Sequence, residues 1–168
     1  MTSIADPTPD DLKAAADAAL RLFPAPVAVV GAAADGVRAG LLAAWVTRVS
    51  MEPPLVLVAV GHTRHTYGVL AAAASFTVSL LGEGQIETAR LFGLVSGRER
   101  DKWAEVPMVL MDDRTPALRD CAARLLCTSA GRFTAGDHDC FVGHIMAAEV
   151  VSGGPALPLR GADYAPRP

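Results

Sequence analysis

The chain has 168 residues, enough for one domain that buries its own core without disulfide or metal staples. Hydrophobic residues make up 51% and charged residues 20%, which excludes a disordered chain; with only 5% aromatics, the core must be mostly Ala, Val and Leu. Acidic residues outnumber basic ones by 18 to 15, so no basic field exists to attract nucleic acid or an anionic membrane.

Thr8-Pro9-Asp10-Asp11 has the form of a helix start: a hydroxyl N-cap, proline at the first helical position and carboxylates at the positive end of the dipole. A helix over about 9–23 is predicted. Asp10, Lys13, Asp17 and Arg21 line one face and Leu12, Ala16, Ala19 and Phe23 another, so it should lie on an apolar surface before Pro24 and Pro26 end it. Short β-rich runs follow: Val27 to Ala32, the Asp35-Gly36 hairpin signal, then Val37 to Ser50. Pro53-Pro54 breaks the chain ahead of the apolar run Leu55 to Val60, which reads as a buried strand. Thr63 to Ala74 is Ala-rich and predicts a helix, with a strand from Phe76 to Leu81 behind it.

Glu83 to Phe92 predicts a further helix, and a charged loop, Ser96 to Lys102, comes next. Three more strands are expected over Met108 to Met111, Leu118 to Thr128 and Asp139 to Val151, the last two joined across Ala135-Gly136. This is a mainly β chain with helical insertions, best accommodated by a β-barrel. One domain is expected over 1–155, with a Pro- and Gly-rich arm or tail over 156–168.

Cys121, Cys127 and Cys140 are odd in number and without zinc or CxxC spacing, and no secretory signal begins the chain, so a reducing cytoplasm is expected. The longest apolar stretch, Val69 to Leu81, is interrupted by Ser75, Thr77 and Ser79 and is too short for a membrane span. Gly31-x-x-x-x-Gly36 lacks the Lys-Ser/Thr of a P-loop, and no GxGxxG follows a strand. His62 with His65, and His138 with His144, lie at no recognised metal-ligand spacing, so no metal is expected.

Thr63, Arg64, His65 and Thr66 stand at a turn that opens a helix, and such a turn offers an anion backbone N–H groups, hydroxyls and a cation. The same residues also fit a plain helix cap with a solvated arginine. The segment around them, WVTRVSMEPPLVLVAVGHTRHTY from Trp45 to Tyr67, resembles the flavin reductase family, which are FMN-binding split antiparallel β-barrels of Greek-key type. Two further stretches resemble the same family in the same order: Ser96-Gly97-Arg98-Glu99-Arg100-Asp101-Lys102-Trp103, and Gly136-Asp137-His138 ahead of Phe141-Val142-Gly143.

The resemblance implies a site. Ala44, Trp45, Val46, Thr47 and Ser50 would flank the isoalloxazine ring, and Thr63, Arg64, His65 and Thr66, with Ser96, Gly97 and Lys102, would hold the phosphate. His138 would help place a nicotinamide, NADH or NADPH, over an FMN, FAD being admissible in an open groove. It further implies a homodimer, a flavin-dependent monooxygenase partner and transfer of a hydride to the flavin. The chain departs from the family where Leu42-Ala43-Ala44 replaces hydroxyl and amide residues facing the ring. An electron-transfer protein that retains its FMN, an FMN-dependent oxidase with its own organic substrate, and a cofactor-free binding barrel are the alternative readings.

Overall fold

The computed structural model describes residues 8–159. Helix α1 (Pro9–Leu20) opens with a capping box: Thr8 accepts from the Asp11 N–H, and Asp11 reaches back to the Thr8 backbone. The Thr8 hydroxyl also donates to the Asp11 carboxylate (2.6 Å), and that bond, with the one from the Thr8 N–H, holds the carboxyl below its usual range. The rest of the helix differs from the sequence reading. None of its residues is buried, and Leu12 and Leu20 face solvent, because no described part of this chain packs on its apolar face.

The β chain begins with a tight hairpin between β1 (Ala28–Ala34) and β2 (Val37–Ala43). Asp35 and Gly36 both adopt positive φ (51° and 77°), the two-residue turn that matches the twist of paired strands. The expected single strand from Val37 to Ser50 is two strands. At Ala44-Trp45 the chain leaves β1, and β3 (Val46–Ser50) pairs with β4 (Leu55–Gly61), an arrangement the Trp45 carbonyl joins by accepting from the Ala59 N–H. Helix α2 (His65–Ala72), β5 (Ser75–Leu80) and α3 (Ile86–Leu94) follow as expected in type, the helices shorter or shifted by two or three residues.

A 3-10 turn over Lys102–Glu105 stands where the charged loop was expected to end. The strand expected from Leu118 to Thr128 is also divided. Leu118 closes the small hairpin of β6 (Met108–Leu110) and β7 (Pro116–Leu118) by pairing with Met108, and β8 (Ala123–Ala135) begins only after a turn. β8 and β9 (His138–Val150) form a long hairpin turned at Gly136, again with positive φ.

Seven strands form one antiparallel sheet in the order β2-β1-β5-β8-β9-β4-β3. Its two edges are consecutive in the chain, and the sheet curls so that β1, β2, β4, β5, β8 and β9 all contribute side chains, including Val30, Leu41, Val58, Phe76, Cys127 and Phe141, to one core. The result is an antiparallel barrel split between β2 and β3. A second core lies outside the sheet, where Phe92 and Trp103 pack edge to face on the paired glycines Gly31 and Gly40. A Cβ on Gly40 would stand 2.8 Å from both rings, so glycine is what lets them approach. The expected arm starts with residues that are attached: Leu157 is buried in this second core, and Pro158 bridges to Pro26. Residues 160–168 lie outside the described part of the chain.

Candidate functional site: a cationic cavity beside an apolar cleft

Two cavities flank the split in the barrel. The first, about 410 Å³, is lined by Thr63, Arg64, His65 and Thr66 from the turn into α2, and by Ser96, Gly97, Arg98 and Lys102 beyond α3. The two stretches singled out in the sequence are thus brought to one place, with Leu41, Leu42 and Phe92 as the apolar floor. Among the described residues, no acidic side chain lines it.

The local structure at the turn favours an anion over a plain cap. Arg64, not Thr63, is the N-cap of α2, and it makes no side-chain capping bond. The first N–H groups of the helix therefore keep their donor capacity, and the dipole adds positive potential. Neither Arg64 nor Arg98 is ion-paired among the described residues. Opposite them, a Cβ on Gly97 would stand 2.7 Å from the His65 ring, so glycine keeps the two walls close.

Lys102 is the buried cation of this cavity. Its ammonium donates to the carbonyls of Phe92 (3.2 Å) and Val95 (3.1 Å) and lies over the Phe92 ring. Two of its three N–H bonds thus fasten the end of α3, and the third has no protein acceptor among the described residues. Burial, and to a lesser extent the nearby Arg64, pull its pKa down to about 8. The sequence placed Lys102 among the phosphate contacts; the structure adds that it is a structural clamp.

The second cavity, about 1280 Å³, is lined by Ala44, Trp45, Val46 and Thr47 at the split, Leu57 of β4, Leu20 at the end of α1, and Arg21 and Phe23 beyond it. Trp45 is 60% exposed and packs against His138, with ring centroids 4.5 Å apart. Leu159 borders both cavities, tied down by its N–H to the Ala25 carbonyl (3.0 Å). Ser50 lies at the far end of β3, where its carbonyl accepts from the Arg48 side chain, and it borders neither cavity.

His138 starts β9 directly opposite Gly61. Its Nδ1 lies 2.7 Å from the Asp137 carboxylate, which that bond holds below the usual carboxylate range. A carboxylate can only accept, so Nδ1 carries the hydrogen of that bond. Arg98 and Leu159 were not identified as site residues from sequence. Arg98 had a signal, standing two residues after Ser96 and donating its N–H to the Ser96 hydroxyl, whereas Leu159 had none.

A curled antiparallel sheet with a cationic, acid-free cavity at a helix start, next to an apolar cleft with an exposed indole, defines a protein that fits a flat ring joined to a phosphate, as in a flavin. The chain belongs to the flavin reductase like domain family, whose model matches residues 20–164. An NADH:riboflavin 5′-phosphate oxidoreductase from Streptomyces pristinaespiralis is 35% identical over 83% of this chain and 78% of its own length. The reductase component of a Rhodococcus opacus 4-nitrophenol 4-monooxygenase/4-nitrocatechol 2-monooxygenase is 32% identical over 83% of this chain and 73% of its own. Among solved structures, a Streptomyces globisporus NADH:FAD oxidoreductase superposes with a TM-score of 0.80 at 28% identity, covering 96% of this chain and 95% of that one. Some relatives are longer: the matches span 62% of an Archaeoglobus fulgidus protein and 51% of a Sinorhizobium meliloti chain.

Proposed function

We propose that this chain is an NAD(P)H-dependent flavin reductase with FMN as its flavin, releasing reduced flavin to an oxygenase partner. The observation that carries this is the acid-free cavity holding Arg64, Arg98 and Lys102 beside the uncapped start of α2. In that reading the Arg64 guanidinium and the α2 N–H groups bind the phosphate, and the Thr63 and Ser96 hydroxyls donate to it. Ala44, Trp45, Val46 and Thr47 present an apolar wall and strand backbone to the ring, whereas Leu42 lies in the floor of the phosphate cavity. A bound flavin supplies the ring that accepts a hydride; the protein's part is to align donor and acceptor. His138, held by Asp137 and packed at a tilt against Trp45, orients the nicotinamide and moves no proton.

FMN is favoured over FAD because the cavity suits a terminal phosphate, although the Streptomyces globisporus relative is named for FAD. Pairing into a homodimer is supported by exposed Phe23, Trp45, Met51, Phe133 and Met146 and by the uncovered α1. The oxygenase partner is supported by the Rhodococcus relative, itself named as a reductase component. No helix among the described residues is long and apolar enough to cross a membrane. Three buried, unpaired cysteines suit a reducing cytoplasm.

Steady-state assay decides the reading. NADH or NADPH oxidation should rise with added FMN and fall when riboflavin replaces it at low concentration. A yellow protein indifferent to both nicotinamides would instead be an electron carrier or an oxidase, and a colourless protein that binds no added FMN would be a cofactor-free barrel.

A further inference from the structure

Between the phosphate turn and His138 lies a buried charge that neither end explains. Asp139, the residue after His138, is 4% exposed, and both of its oxygens are fully engaged. Oδ1 accepts from His62 Nε2 and from the Thr134 hydroxyl, each at 2.9 Å. Oδ2 accepts from the Tyr67 hydroxyl at 2.7 Å and pairs with Arg132 Nε at 3.4 Å. The four donors come from three places: His62 from the turn after β4, Tyr67 from the first turns of α2, and Thr134 and Arg132 from β8. Arg132 also lies over the Tyr67 and Phe141 rings.

These bonds keep the carboxyl ionised, with a pKa of about 2, in which the His62 and Tyr67 bonds are the largest influences. The Tyr67 hydroxyl is correspondingly pushed up, first by its bond to Asp139. An ionised carboxylate only accepts, so His62 and Tyr67 must both donate to it, which fixes the direction of each bond. Burying such a cluster costs desolvation, and an apolar group of the same shape would hold the fold equally well. What the carboxylate adds is direction.

That direction has a consequence at both cavities. His62 and Tyr67 bracket Thr63, Arg64, His65 and Thr66, the turn that lines the cationic cavity. The His62 N–H also donates to the Asp137 carbonyl (3.2 Å), and Asp137 holds the imidazole of His138. We infer that Asp139 is a positioning residue that locks the phosphate turn and the His138 hairpin into one register, so that the flavin's phosphate end and the nicotinamide site are set together. This rests on the flavin reading above only for the identity of the ligand.

Asp139→Asn keeps the shape but leaves two of the four donors facing an NH₂ group, whichever way the amide turns. FMN affinity, read from flavin fluorescence quenching, should fall by about tenfold, the loss of one or two charge-assisted bonds, and KM for NADH should rise with it. Tyr67→Phe, which removes one bond and adds no clash, should weaken FMN binding by a few-fold even if the Asn variant folds poorly. Combined with Arg64→Ala, the Asp139 effect on FMN should largely vanish, because Asp139 acts through the turn that carries Arg64. A structural carboxylate would lower thermal stability and leave the affinity of folded protein unchanged.

A readout without ligand separates this inference from the flavin reading. In flavin-free protein, Trp45 emission, taken as the difference from Trp45→Phe, should brighten in Asp139→Asn as the quenching imidazole of His138 loses its place. Wild-type protein that binds no flavin would sink the flavin reading, and the Trp45 signal would still decide on Asp139. Unchanged Trp45 emission in folded Asp139→Asn, or unchanged FMN affinity where the wild type binds FMN, overturns the inference.

Discussion

In the proposed reading, the cationic cavity and the apolar cleft divide one ligand's chemistry between them. The first is small, polar and charged, built from a turn, a helix end and a buried lysine; the second is three times larger, apolar, and lined by strand backbone and an exposed indole. Charge and directional bonds specify a phosphate in the first, while the second offers area and dryness to a ring. The contrast teaches where specificity should reside: substitutions in the cavity should discriminate among flavins by their phosphate, and substitutions in the cleft should affect every flavin alike.

The largest effect is expected from Arg64→Ala, which should weaken FMN by about 1–3 kcal/mol, the range for a charge-assisted bond. Riboflavin, which lacks the phosphate, should bind as before; equal loss for both flavins would break the comparison. Next comes pH. Lys102 titrates at about 8 in the folded protein, well below its ordinary 10.5, because its charged form is desolvated. The unfolded chain therefore holds more protons between those values, and folding stability should rise with pH across that window. An anion in the cavity favours the ammonium, so its binding draws a proton in above pH 8. FMN affinity should fall by up to about tenfold per pH unit there, and the slope should vanish in Lys102→Met and for riboflavin.

On the cleft side, Trp45→Ala should weaken FMN and riboflavin equally, by several-fold, as one aromatic contact is lost. It should also raise KM for the nicotinamide, because the indole supports the His138 ring. The smallest effect is expected from Asp137→Asn. Asp137 is exposed, and its loss should free the His138 tautomer, raising KM for NADH about two- to threefold with FMN affinity unchanged. A change in FMN affinity would place His138 on the phosphate side instead.

Acid offers a check on the bridge between the two regions. Asp139 has its folded pKa depressed to about 2, so its contribution to stability is present above the ordinary carboxylate pKa near 4 and is lost as pH falls from there through 2. Tyr67→Phe and His62→Gln should lessen that acid sensitivity.

Much of this was legible in the chain because the signals are local. The N-cap at Thr8, the turn at Asp35-Gly36, and the apolar run at Leu55 each act through neighbours a few residues away, and each appears in the structure. The three motif segments were also visible, and the cavity gathers two of them. What failed locally failed for a tertiary reason. Val37 to Ser50 reads as one strand because its pattern is continuous, yet the sheet's two edges meet inside it and divide it at Ala44-Trp45. Leu118 joins β7 because Met108 lies opposite, a pairing no window of sequence contains.

By itself, then, the sequence determined the types of element, their order, the turns that need glycine, and the residues able to meet a phosphate, since propensity and turn geometry are short-range. Tertiary structure alone decided which of those residues share a cavity and which, like Ser50, stand apart. It also decided that Lys102 clamps a helix end, that Leu159 borders two cavities, that α1 leaves its apolar face open, and that Asp139 bonds to both β8 and the turn into α2. Those outcomes depend on packing between distant segments, where burial and the partners of a polar group are set by the whole fold.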